Sequence, residues 1–181
     1  MLLDHVEMAE NFVEECLSVL TRTPATLDAL LRGLPEAWTE ATEGPGTWSP
    51  YVVIGHLIHG EKVDWMARLN IILNDGPSHP FDPFDREAQF RDSDGKPLAS
   101  LLDEFSALRR ENVARLRALN LQPGQFDLKG THPTLGTVTL RELLATWTAH
   151  DLAHLVQVGR VMAKRYKQDV GPFAQFLSVM K

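Results

Sequence analysis

The stretch TLRELLATWTAHDLAHLVQVGRVMAKRY, residues 139–166, decides the fold. Its apolar positions recur at three- and four-residue steps: Leu143, Trp147, Val158 and Val161 share one stripe. That is the period of an α-helix with one face in a core. Thr139-Leu140-Arg141-Glu142 opens it as a capping box, hydroxyl and carboxylate each satisfying an unpaired backbone amide. Two histidines, His150 and His154, interrupt the apolar stripe without leaving it. Four residues apart, they project from one helix face about one turn apart, the spacing at which two imidazoles grip one ion.

The same helical period runs outward from this segment. A first helix is expected from about Asp4 to Arg32, with Val6, Phe12, Leu17, Leu20, Leu27 and Leu31 on its stripe. Pro24 kinks or interrupts it, because proline has no amide hydrogen to donate. Gly33 and Pro35 end it. After a loop over residues 34–48, Ser49 caps a second helix with Pro50 at its first position. This helix is expected to continue to Asn74. Residues 76–97 form a long loop rich in Pro, Asp and Phe, with a short helix expected over Asp85–Gln89. A loop of that length in a compact domain is commonly functional. The third helix spans about Pro97–Leu119. The loop 120–138 carries no strand pattern, and Phe173–Met180 forms a short amphipathic tail helix. The expectation is one all-α domain over residues 1–181, a four-helix bundle with either an up-and-down or a crossover connection.

Composition narrows the function. The chain has 181 residues and a net charge of −6. An acidic balance argues against a nucleic-acid groove and against docking on anionic lipid. The basic run Lys164-Arg165-Tyr166-Lys167 reads as cations at a helix C-terminus. The single cysteine, Cys16, cannot form an internal disulfide, and beside Leu17 it reads as a buried, inert thiol. No targeting signal and no membrane-length apolar run is present, so a cytoplasmic location is expected.

One more imidazole lies on an inward stripe. On the second helix Val52, His56, Val63 and Ala67 place His56 near the level of the pair. A lone inward histidine is ordinarily a hydrogen-bonded core residue. Three in one dry core need three separate partners or one shared cation, since an unpaired buried polar group is costly. His56, His150 and His154 are therefore the expected metal ligands. Imidazoles suit Zn, Ni, Fe or Co better than Mg or Ca. His59, three residues past His56, either supports a ligand from behind or sits half exposed. His5, His79 and His132 are not expected to touch metal. Asp151 faces away from the pair and is expected to orient a ring on an adjacent helix or to pair with a cation. Glu61 is expected in a surface or interhelical salt bridge. Trp48 and Trp147 are expected to pack in the core, with lining a pocket over the ion as the alternative, and the Phe81–Phe84 loop is a candidate cover for the bundle's open end.

Two segments resemble the DinB-like superfamily of metal-binding four-helix bundles, which includes the YfiT-like proteins. One is Trp48-Ser49-Pro50, then Gly55-His56-Leu57 and Glu61. The other is His132-Pro133-Thr134-Leu135-Gly136, then Thr139 to Leu144 and His150 to Leu155. The resemblance implies an up-down-down-up bundle, the triad His56, His150 and His154, and a divalent ion that is commonly nickel or zinc. It also implies homodimers and, in some members, S-transfer using a low-molecular-weight thiol. Three protein ligands leave coordination positions open, as catalytic sites do. The expected function is thus a metal-dependent enzyme acting on a small molecule, a thiol-dependent S-transferase first and a hydrolase second. A non-catalytic binding module is the alternative from another class. No general base is assigned.

Overall fold

The computed structural model describes residues 12–181. The expected helix start at Asp4, with Val6 and His5, lies outside them. Within them the chain forms α1 (12–20), α2 (Thr23–Leu31), α3 (Glu36–Thr39), α4 (Pro50–Val63), α5 (Trp65–Asn74), α6 (Ala88–Ser93), α7 (Leu98–Ala118) and α8 (Leu140–Lys164). Pro24 interrupts the first helix as expected: a turn at Thr21-Arg22 separates α1 from α2.

The paired residues give each helix its direction. Phe12 lies against Arg141 and Cys16 against Thr148, so α1 and α8 run parallel. Arg32 pairs with Asp103 at 2.6 Å and the Leu20 carbonyl accepts from Arg109 at 2.9 Å, so α1–α2 and α7 run antiparallel. Trp48 meets His154, His56 meets His150 and Trp65 meets Trp147, so α4–α5 opposes α8. The Tyr51 hydroxyl donates to the Lys96 carbonyl at 2.9 Å and Lys62 pairs with Glu104 at 2.6 Å, so α4 and α7 run parallel. The order is up, down, down, up.

Two parallel neighbours cannot be joined by a tight turn. The chain must travel back along the bundle, which is why residues 75–97 are long. Within that crossover the short helix forms at Ala88–Ser93, somewhat later than expected, and packs on α4. Gly55 permits the approach: a Cβ there would sit 2.4 Å from Ser93 Oγ.

The structure corrects the sequence reading in three places. The second helix does not run unbroken to Asn74. It breaks at Asp64, whose backbone angles are −106° and −78°. The break lets Trp65 stack on Trp147, ring centroids 5.7 Å apart and planes within 7°. Burying two indoles face to face outweighs the one irregular residue. Residues 129–138, read as loop, form with the cap residue Thr139 an antiparallel hairpin, β1 (Lys129–His132) and β2 (Gly136–Thr139), paired from Lys129–Thr139 to His132–Gly136. A two-stranded hairpin is marginal alone. This one is fastened by Phe81, whose amide donates to the Thr131 carbonyl at 2.9 Å. Gly130 leaves room for it, because a Cβ there would lie 2.6 Å from the Phe81 ring. The expected C-terminal helix takes the form of two 3₁₀ turns, Gly171–Phe176 and Ser178–Met180. Phe173 and Phe176 stay exposed there, so no buried stripe rewards a longer helix.

Two apolar clusters fill the interior. One gathers Leu17, Leu20, Trp65, Leu69, Leu144 and Trp147, the other Leu27, Leu31, Ile54, Leu57, Leu101 and Phe105. Buried Arg109, 1% exposed, carries charge into this interior from α7. It donates to Glu61 Oε1 at 2.8 Å, to both carboxylate oxygens of Asp151 and to the Leu20 carbonyl. Glu61 also accepts from Asn112 Nδ2 at 3.0 Å and from Trp147 Nε1 at 3.2 Å. Glu61 is thus an interhelical partner and not a surface one, and Asp151 is fully buried on a cation.

Candidate metal centre

Each histidine of the expected triad arrives by the local rule that builds its helix. Ser49 caps α4, its hydroxyl accepting from the Val52 amide at 3.3 Å, and His56 follows two turns later. Thr139 and Glu142 form the expected capping box on α8, which carries His150 and His154. The structure brings the three rings together. His56 Nε2 is 3.1 Å from His150 Nε2, and His154 Nε2 is 3.0 Å from His150 Nε2.

At most one of these two contacts can be a well-formed hydrogen bond, because His150 Nε2 takes part in both. His154 Nδ1 donates to Gln157 Oε1 at 2.8 Å, which leaves its Nε2 as a lone pair. Nδ1 of His56 and of His150 is buried without a partner. Protonation does not resolve the crowding. Burial first, then the neighbouring imidazoles, push His56 down to about 3 and His150 down to about 4, and burial lowers His154 as well. Three neutral rings aim their nitrogens at one point. Metal–nitrogen bonds of about 2.0–2.1 Å set adjacent donors about 3.0–3.4 Å apart, so this donor set fits a divalent cation.

The triad opens into a cleft of about 730 Å³. Trp48 lines it, 4.9 Å from His56 and stacked on His154 at 6.3 Å between centroids, and also packs against the second apolar cluster, so it meets both expectations. Trp147 instead packs inside, on Trp65 and Glu61. The crossover loop covers one side: Phe84 sits 5.3 Å from His56 and 4.8 Å from His59. His59 is buried behind Phe84 with Nε2 unpartnered and is not in the triad. His79 lies apart and exposed, 3.7 Å from Asp75. His132, at the hairpin tip, lines the same cleft as the triad. Cys16 is buried away from it, its thiol pushed up by burial and thus poor in thiolate.

Three cleft residues went unread in the sequence. Asp64, at the helix break, ion-pairs with Arg68 at 2.5 Å, and burial raises its carboxyl to about 6 despite that partner. Arg86, in the crossover, lines the cleft and its charge lowers His56. The spacing of Asp64 and Arg68, four apart on a helix, was the available signal.

No helix among the described residues is long and apolar enough to cross a membrane. No curated protein matches this sequence. Among solved structures the chain is similar to YfiT from Bacillus subtilis, described as a probable metal-dependent hydrolase with an unusual four-helix bundle topology. The two share 21% identity and a TM-score of 0.73 over 84% of this chain and 87% of YfiT, a likeness of fold. The sequence profile of the DinB superfamily matches residues 20–158, a span that contains all three histidines, and the chain belongs to that superfamily.

Proposed function

We propose that this protein is a metal-dependent enzyme whose ion is held by His56, His150 and His154, and that it hydrolyses a small molecule. The observation that carries the reading is the convergence of three neutral imidazole nitrogens, 3.0–3.1 Å between neighbours, beside a cleft of about 730 Å³. Three protein ligands leave positions open for reactants. The donor set accepts zinc or nickel, and also iron, cobalt or manganese, so cellular supply selects the metal.

A divalent ion there supplies Lewis acidity, lowering the pKa of a coordinated water or thiol. The chain's own residues supply the rest. Asp64, with a carboxyl near 6, is matched to taking and returning a proton at neutral pH. Arg68 holds that carboxylate in place. Trp48 and Phe84 narrow the approach to the triad and exclude bulk water. Asp64 is what favours hydrolysis, the activity also ascribed to YfiT. Thiol-dependent S-transfer is the second reading, favoured by the size of the cleft, which has room for a small thiol beside its acceptor.

The test is direct. Protein purified without chelator is assayed for bound metal, then for turnover on ester and amide panels and on thiol-conjugation panels, with and without that metal. Metal-dependent hydrolysis lost in Asp64→Asn supports the first reading, and turnover only when a thiol is added supports the second. One equivalent of metal with no turnover on either panel reduces the protein to a binding module.

A further inference from the structure

The cleft that holds the triad is also lined by donors. His132 closes β1, and its Nδ1 accepts two backbone amides of the hairpin turn, Thr134 N at 3.1 Å and Leu135 N at 3.2 Å. A nitrogen that accepts two N–H groups carries no hydrogen, so the neutral ring bears its hydrogen on Nε2. The turn therefore fixes one tautomer and turns His132 into a donor only. No residue among the described ones accepts from Nε2.

Arg68 stands beside it. Its guanidinium lies 5.3 Å from the Phe81 ring, the same ring lies 6.3 Å edge-on from His132, and the Arg68 charge acts on His132. Asp64 engages Nε of Arg68, which leaves the two terminal nitrogens without a partner among the described residues. Arg86 lines the same cleft and forms no ion pair among the described residues. The acidic groups there are already committed: Asp64 to Arg68, and Glu142 to the Thr139 amide at 2.7 Å. What the cleft offers a ligand is thus uncommitted donors and positive charge. Trp65 lines the same cleft, 5.1 Å from His150 and about one helical turn before Arg68.

We infer that the substrate carries an anionic group, a carboxylate or a phosphate, which Arg68, Arg86 and the Nε2–H of His132 receive while another part of the molecule reaches the triad. This rests on the triad being the metal site. Charged hydrogen bonds of this kind are the strong ones, and a planar guanidinium matches either anion.

Cobalt(II)-loaded full-length protein tests it through the visible and near-ultraviolet bands of the ion, with no need for turnover. Three thiols of similar size are titrated: 3-mercaptopropionate, 2-mercaptoethyl phosphate and the neutral 3-mercaptopropanamide. The expected result is that at least one anionic thiol binds about tenfold or more tightly than the amide. The anion with the larger advantage identifies the class. Arg86→Gln with His132→Ala, on a loop and a hairpin outside the helical core, should remove most of that advantage while the amide binds as before. Arg68→Gln should also reduce that advantage. Equal affinities for all three thiols on the loaded protein, or an advantage unchanged in the double variant, sinks the anion site alone. Failure to retain cobalt sinks the metal reading and this inference with it.

Discussion

Two polar clusters sit back to back on α4 and α8, and they obey opposite rules. His150 and Asp151 are adjacent in sequence, yet His150 joins the triad and Asp151 joins Arg109 and Glu61. In the Arg109 cluster, both carboxylates are bonded and the terminal guanidinium nitrogens reach acceptors on three residues, with Nε alone left unpartnered. In the triad, nitrogens crowd one another and two more are buried unpaired. The first cluster neutralises its charges internally and joins α7 to α4 and α8. The second is left needing something the chain does not contain. The difference separates what holds the bundle from what the bundle is for.

The largest effect should come from breaking the Arg109 cluster. Arg109→Leu strands two buried carboxylates, at a cost of about 3–5 kcal/mol. A urea midpoint that barely moves would show that the cluster does not hold the helices. Next comes the triad. The double change His150→Ala with His154→Ala should abolish metal retention while circular dichroism keeps its helical shape. Zinc at a free concentration about one hundred times Kd should stabilise the unaltered protein by about 2.7 kcal/mol and the double variant not at all. An equal shift in both would disprove the ligand assignment.

Acid should separate the clusters further. His56 and His150 have folded values near 3 and 4, below the unfolded value near 6.5. Between those limits the unfolded chain binds more protons than the folded one. Stability of the metal-free protein is therefore full above about 6.5 and falls as pH drops towards 4. His56→Leu should lessen that loss, and a pH-independent melting temperature in the metal-free protein would contradict the burial of neutral rings. Smaller again is the cap of α8: Thr139→Ala should cost about 1 kcal/mol, read from the same melts. His132→Ala should leave metal content unchanged, which elemental analysis checks.

The bundle and the triad were legible because both follow helical periodicity. The stripe through Leu143, Trp147, His150, His154 and Val158 gives a helix, a buried face and a ligand pair at once. His56 came from the same reasoning on α4. Arg109 was harder, although it stands four residues after Phe105 and seven after Leu102, on a stripe otherwise apolar. A charged residue in that position signals a buried partner without naming it. The hairpin was illegible because its stability comes from Phe81, about fifty residues upstream, through a bond no local pattern encodes.

Taken alone, then, the sequence determined the four long helices, their caps and which imidazoles point inward, because those depend on residues within a turn or two of one another. Helical periodicity left the helix order open, and the order up-down-down-up implied by the family resemblance is what the structure shows; only the tertiary structure decided the break at Asp64, the partners of Glu61 and Asp151, and the meeting of His132, Arg68 and Arg86 around one cleft. Each of those depends on contacts between distant segments, where packing energy selects among arrangements that local periodicity leaves equal.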